Sequence, residues 1–315
     1  MRRLEFLCLA LLALTATSID ALAQIAERKV DIYSEGVRMS GTVLYSQALE
    51  GSKLPTVIMS HGWGGTAAML RPQAERFAQA GYFVLVFDYR GWGDSDARWV
   101  RDESVTTGDK ARRELREVVD PLDQATDIFN AVHWAMGEPM VDVNRVGLWG
   151  TSFSGGLVAY VAARDPRIKA IVSQVAYFGQ PLAKYTPEAL TRARSDATRR
   201  ARGEIGYPPP AAREIGNLRG APVRESFLRY APIDDIHATR GCAMLIIDAE
   251  KEELFDTREH GELAFNRAAE PKKRVVIPGI THYGVYSVAR EQSIGVAIEW
   301  MDLHLKRGMQ TPAHQ

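Results

Sequence analysis

The 315 residues are 46% hydrophobic and 25% charged, ordinary values for a globular chain that can bury a core. Lys+Arg and Asp+Glu both number 39, so the formal net charge is zero. That balance argues against nucleic acid or an anionic membrane surface as the main partner, because neither is drawn by a neutral chain.

The first predicted element lies outside the fold. Arg2 and Arg3 make a positive start, and Phe6 to Ala16 is an apolar run too short to span a bilayer as a stable helix. Ala21-Leu22-Ala23 then offers a small-residue cleavage site, the layout of a secretory signal peptide. Residues 1–23 are therefore expected to be removed, leaving a periplasmic or secreted chain with no stable membrane insertion. An uncleaved N-terminal anchor is the alternative. Of the two cysteines, Cys8 leaves with the signal and Cys242 remains alone, so no internal disulfide is expected. Residues 24–315 are long enough to form one domain around a hydrophobic core.

Beyond the signal, strands and helices alternate. Val37 to Tyr45 reads as a strand, and Pro55 to Ser60 as a second that ends at Ser60-His61-Gly62-Trp63-Gly64-Gly65. A helix over Leu70 to Ala80 precedes a third apolar run, Tyr82 to Phe87, which ends at the turn Asp88 to Ser95. Asp120 can cap the next helix, and Pro121 fits its first turn, where no N–H is needed. Leu122, Ala125, Phe129, Val132 and Met136 then share one face at helical spacing. The strand Val146 to Trp149 runs into Gly150-Thr151-Ser152-Phe153-Ser154-Gly155-Gly156 and a small-residue helix, followed by the strand Ile168 to Val175. From 177 to about 240 the rhythm breaks into a basic helix near Thr186 to Gly203, three prolines and irregular chain. It resumes with Ala243 to Ile247, a helix from Thr257, the strand Arg274 to Ile277 and a last helix with Ile294, Ala297, Ile298, Met301 and Leu305 on one face. This pattern predicts an α/β fold, a mostly parallel sheet covered by helices on both faces, with 177–240 inserted as a small cap.

The chemistry concentrates where strands end. Gly150 to Gly156 lies at a sharp strand-to-helix turn, which exposes a serine above the sheet edge and demands small neighbours. Ser152 is the expected nucleophile, at the right distance past the strand. Ser154 is the alternative, since the +2 position holds serine in place of the usual glycine. Of seven histidines, His282 stands just past the last strand, where parallel sheets place active groups, and is the expected base. His61 is read as shaping its glycine-rich loop, His133 lies inside an amphipathic helix and is read as partly packed or solvated, and His237, His260, His304 and His314 are assigned surface roles near helices or the terminus. The acid that orients His282 should follow the strand at Ala243. Glu252, before the apolar pair Leu254-Phe255, is preferred over Asp248 and Glu250. Backbone N–H groups of Trp63 and Phe153 are expected to bind the oxyanion. The turn after Asp88 reads as structural, with Arg90 as a weak candidate for substrate contact. Arg192, Arg194, Arg199, Arg200 and Arg202 read mainly as a solvated face, alternatively as an attractor of anionic substrates or lipid headgroups. No pair of histidines has metal-ligand spacing, and no cofactor motif is present.

Five segments, His61 to Gly65, Asp88 to Ser95, Gly150 to Gly156, Ile247 to Phe255 and Gly279 to Tyr286, together carry a family likeness. The chain resembles the α/β-hydrolases of the dienelactone-hydrolase and Xaa-Pro-dipeptidyl-peptidase-like group from about Ile32 to Leu305. The resemblance implies an α/β-hydrolase fold and a triad of nucleophile, acid and base. It departs from the group at two points: the acid there is often Asp, here Glu252, and dienelactone hydrolases proper use Cys where this chain has Ser152. The expected function is hydrolysis of a carboxylic ester, a small-molecule acyl substrate, through an acyl-enzyme with no cofactor. An acyltransferase or a peptidase would use the same triad. A non-catalytic binding protein of the same fold is the rival from another class, and it has no need of Ser152, His282 and the glycine-rich loop together.

Overall fold

The computed structural model describes residues 24–102, 111–210 and 212–306. The expected signal segment, residues 1–23, and His314 lie outside the described residues. One eight-stranded sheet organises the chain: β1 (Ile25–Ser34), β2 (Val37–Ser46), β3 (Leu54–Ser60), β4 (Phe83–Phe87), β5 (Val141–Thr151), β6 (Ile168–Gln174), β7 (Ala243–Lys251) and β8 (Lys272–Thr281). Their spatial order is β1-β2-β4-β3-β5-β6-β7-β8. β1 pairs with β2 and β2 with β4 in antiparallel fashion, and every other pairing is parallel.

Parallel strands need covering on both faces, and their residues alternate accordingly. In β3, Val57 and Met59 enter one core while Ile58 enters the other; β7 divides Leu245 and Ile247 from Met244 and Ile246 in the same way. The core that Ile58 enters is roofed by α2 (Pro121–Met136) and α3 (Phe153–Ala162), and the core that Val57 and Met59 enter by α1 (Arg71–Gln79) and α6 (Arg290–Met301). α4 (Pro187–Ala201) lies in the cap, and α5 (Gly261–Arg267) precedes β8. The expected α/β-hydrolase architecture with a small cap insertion is the observed one. Among the described residues no helix is long and apolar enough to cross a membrane. Cys242 is buried and unbridged, and burial pushes its thiol up to about 12.

Several boundaries differ from expectation. β1 precedes the first expected strand; it is an edge strand in which Glu27, Arg28 and Lys29 are exposed on both faces, so its apolar signal is weak. β5, β7 and β8 are each longer than their apolar runs, because sheet pairing holds polar residues too. α5 starts at Gly261 rather than Thr257. Asp120 caps α2 as expected, accepting from Leu122 N and Asp123 N. Its buried stripe is rotated from the expected face. Ala125 and Val132 are buried, but Gln124, Asp127, Ile128 and Ala131 join them, while Leu122, Phe129 and Met136 lie only at the border. Asp127 can be buried because it accepts from Ser34 Oγ at 2.6 Å and from Arg90 Nε at 2.5 Å.

Candidate active site

The sharp turn after β5 puts Ser152 at φ 56°, ψ −122°, a conformation L-residues rarely adopt. Such strain costs of order 1–3 kcal/mol and persists only where its surroundings hold it. Here the backbone is strapped to β6 and the chain beyond it. Ser152 N donates to Gln174 O at 2.8 Å, and Ser152 O accepts from Gly155 N at 3.0 Å and Tyr177 N at 3.2 Å. Gly150 is required because a Cβ there would collide with the Ser154 carbonyl as strand and helix pass. Gly62 is required likewise, since a Cβ would meet the Ser152 side chain at 2.9 Å; the glycine-rich loop lies directly against the nucleophile.

The structure brings the three expected side chains together. His282 Nε2 is 3.1 Å from Ser152 Oγ, and His282 Nδ1 is 2.8 and 2.9 Å from the two Glu252 oxygens. The His282 and Glu252 side chains are each 2% exposed, so the pair is shielded from water and its hydrogen bonds are correspondingly strong. The competing assignments have other partners. Ser154 is fully buried, with its Oγ 2.5 Å from Ser60 Oγ and 3.0 Å from Tyr89 OH. It anchors the elbow to β3 and to the turn after β4, and faces away from the base. Asp248 pairs with Arg274 Nε at 2.7 Å, and Glu250 accepts from Gly279 N at 2.7 Å.

Trp63 and Phe153 flank the nucleophile, their rings 5.4 Å apart, and Trp63 Nε1 donates to Gly220 O of the cap. His61 is buried as a loop-shaping residue, its Nδ1 3.0 Å from Gly62 O, and burial lowers its pKa. Asp88 ties this loop to the next one by accepting from Ala67 N at 2.7 Å and Asp94 N at 3.0 Å. Arg90 corrects a weak expectation. Its guanidinium is buried against Asp127, so it is not placed to contact substrate. His260 is a second correction. It is buried, its ring 4.8 Å from Phe255, and Phe255 in turn stands edge-on to His282 at 5.8 Å. Its Nδ1 accepts from Phe178 N at 3.2 Å, and burial holds its pKa down to about 4. His133 and His237 are exposed, as expected, whereas His304 is half-buried beside Trp300.

Above Ser152 a cavity of about 600 Å³ opens under the cap. Its walls are mainly apolar, with Trp63, Phe153 and Phe255 from the sheet side, Tyr177 where the cap begins, and Phe227 and Ala193 from within the cap. Of the basic cap residues, Arg192 lines this cavity, Arg200 pairs with Glu225 at 2.7 Å, and Arg194 and Arg199 are exposed. Among the described residues no group of three or more His, Cys, Asp or Glu is placed to hold a metal ion. Sequence reasoning missed two contacts around the base. Glu253 accepts from His282 N at 2.7 Å, and Tyr286 OH lies 2.6 Å from Thr151 Oγ1. Neither has a local sequence signal.

A polarised serine backed by a buried His–Glu pair is the apparatus of a serine hydrolase that works through an acyl-enzyme. Several known proteins resemble the chain. An uncharacterized 31.7 kDa protein of the traX-finO intergenic region of Escherichia coli is 38% identical over 139 residues, 44% of this chain and 43% of that protein. The quorum-quenching protein AidA of Acinetobacter baumannii (strain MDR-ZJ06) is 40% identical over 121 residues, 38% of this chain and 34% of AidA. The chain thus spans less than half the length of these curated relatives. The crystal structure of hypothetical protein PA2218 from Pseudomonas aeruginosa shares the fold with a TM-score of 0.71 at 21% identity, over 90% of this chain and 95% of that one. The model of the X-Pro dipeptidyl-peptidase (S15) family matches residues 35–193, about half of the chain including the elbow, and the protein belongs to that family within the α/β-hydrolase superfamily.

Proposed function

We propose that the protein hydrolyses carboxylic esters with a bulky apolar portion. The observation that carries this is the connected Ser152–His282–Glu252 geometry, opening into an apolar cavity of about 600 Å³, within the range that encloses a drug-sized ligand. Ser152 Oγ attacks the ester carbonyl carbon as its proton passes to His282 Nε2. Glu252 holds the ring's orientation and tautomer and stabilises the imidazolium. The oxyanion is met by the N–H groups of Trp63 and Phe153, a role supported by their position beside Ser152. Collapse breaks the ester C–O bond, and His282 returns the proton to the departing alcohol. Water then attacks the acyl-enzyme with the same base, releasing the acid and restoring Ser152. No step in this sequence calls on a cofactor.

The family match favours a second reading, a peptidase, in which the leaving group is an amine. Amide and ester substrates with the same acyl group distinguish the two: a peptidase cleaves both at comparable rates. The likeness to dienelactone hydrolases supports a place among small bacterial serine hydrolases, with Ser152 in the cysteine's position. Arg2, Arg3 and the Ala21-Leu22-Ala23 site support export to the periplasm or beyond.

Labelling with a fluorophosphonate probe, located by mass spectrometry, tests the central assignment. Label is expected on Ser152 in the wild type and in Ser154→Ala, and is expected to vanish in Ser152→Ala. Label on Ser154, or none on folded protein, would overturn it.

A further inference from the structure

We infer that Glu253 is a positioning residue for the base, one that fixes where the His282 backbone sits so that its ring can bridge Ser152 and Glu252. The inference rests on the serine-hydrolase reading and adds a residue outside the triad to it.

Glu252 and Glu253 are adjacent in sequence, yet they hold different parts of the same histidine. Glu252 takes the ring at Nδ1, 2.8 Å away, while Glu253 Oε2 takes the backbone N–H at 2.7 Å. His282 opens a short helical turn, His282–Tyr286. The first N–H groups of a helical turn have no backbone acceptor within it, and a carboxylate supplies one with a charge-assisted bond. The far end of this turn is tied separately, through Tyr286 OH to Thr151 Oγ1 at 2.6 Å. The turn that carries the base is therefore pinned at both ends, and Glu253 is the pin nearest the imidazole.

Nothing else explains a carboxylate at this position. Glu253 is exposed, so the core does not need it, and among the described residues no ion pair is formed by it. Its bond to His282 spans 29 positions and joins the loop after β7 to the end of β8. The ring must meet two partners at once, at 3.1 Å and 2.8 Å, and a displacement of about 1 Å can cost on the order of 100-fold in rate. Loss of the pin should thus act on turnover and leave the cavity, lined by other residues, largely as it was.

The test compares Glu253→Ala, which removes the acceptor, with Glu253→Gln, which retains one without charge. Both are assayed as full chains with p-nitrophenyl esters, alongside the wild type, with near-UV circular dichroism to confirm native packing. Glu253→Ala should lower kcat by about 10- to 100-fold with KM within about twofold, and Glu253→Gln should recover most of that loss. The low-field proton resonance of His282 Nδ1–H should persist in Glu253→Gln and broaden in Glu253→Ala. A natively packed Glu253→Ala with wild-type kcat, a change confined to KM, or a Glu253→Gln as slow as Glu253→Ala would each overturn the inference. If Glu253→Ala does not pack natively, Glu253→Gln decides alone: wild-type turnover supports the pin and slow turnover refutes it. Wild-type protein that neither hydrolyses esters nor takes the fluorophosphonate label would instead bring down the reading beneath it.

Discussion

The catalytic loops and the cap enclose the same cavity by different means. On the sheet side, polar atoms meet at 2.7–3.1 Å, as in His282 with Ser152, Glu252 and Glu253. On the cap side, Phe227 meets Trp63 and Phe153 ring to ring at 5.8 and 5.7 Å. Several of the cap's charges sit in mutual pairs, such as Arg200 with Glu225 and Arg224 with Asp196. Hydrogen bonds weaken steeply with angle and distance, whereas apolar contact depends on area and is non-directional. One wall can therefore hold a reacting geometry and the other can accept a range of shapes. Substitutions on the first should register in turnover, and those on the second in substrate preference.

Glu252→Gln offers the hardest test of that division. It preserves size but removes the charge and can favour the wrong tautomer of His282, so kcat should fall by about 10³- to 10⁴-fold. A loss expressed chiefly in KM would erase the distinction between the walls. Phe227→Ala probes the opposite side. Removing this ring should lower the ratio of kcat/KM for bulky over acetyl esters by about tenfold, the size expected for roughly 1–2 kcal/mol of lost apolar contact. If instead both esters slow equally, the cap takes part in the chemistry.

The last effect concerns stability rather than catalysis and comes from His260, which lies behind the aromatic wall. Burial holds its folded pKa at about 4, against about 6.5 in the unfolded chain. As pH falls, the unfolded chain takes up the proton first. The stabilising difference is complete above about pH 6.5 and is lost between there and about pH 4. His260→Asn retains an acceptor for Phe178 N without the titration. Urea denaturation at pH 7 and pH 4.5 should show the wild type losing about 2 kcal/mol more than the variant. Equal losses would mean that the ring reaches water and that the wall is looser than its packing suggests.

The triad was readable because each member lies just past a strand end, and a parallel sheet gathers those ends along one edge. Ser152 follows β5, Glu252 follows β7 and His282 follows β8, strands that run parallel, as their alternation with helices implies. Contacts made across the fold were not readable. Nothing near residue 260 announces that Tyr177, from the segment after β6, covers His260 together with the nearby Phe255. The buried Asp127 shifted the packed face of α2, because its partners Ser34 and Arg90 lie 93 and 37 positions away. Ser154 reads as a tolerated small residue in one dimension, and only in three does it meet Ser60 and Tyr89.

The bond between Tyr286 and Thr151 has a consequence for how the enzyme comes apart. It joins positions 135 residues apart, and its Tyr286 end rides on the turn that follows β8, among the described residues an edge strand paired with β7 alone. Edges open more readily than sheet centres, and local openings cost less free energy than complete unfolding. An excursion that lifts β8 severs this bond and the Ser152–His282 contact in one event. Activity is thus a reporter on the chain's C-terminal cooperative unit, and it ceases while the central strands remain folded.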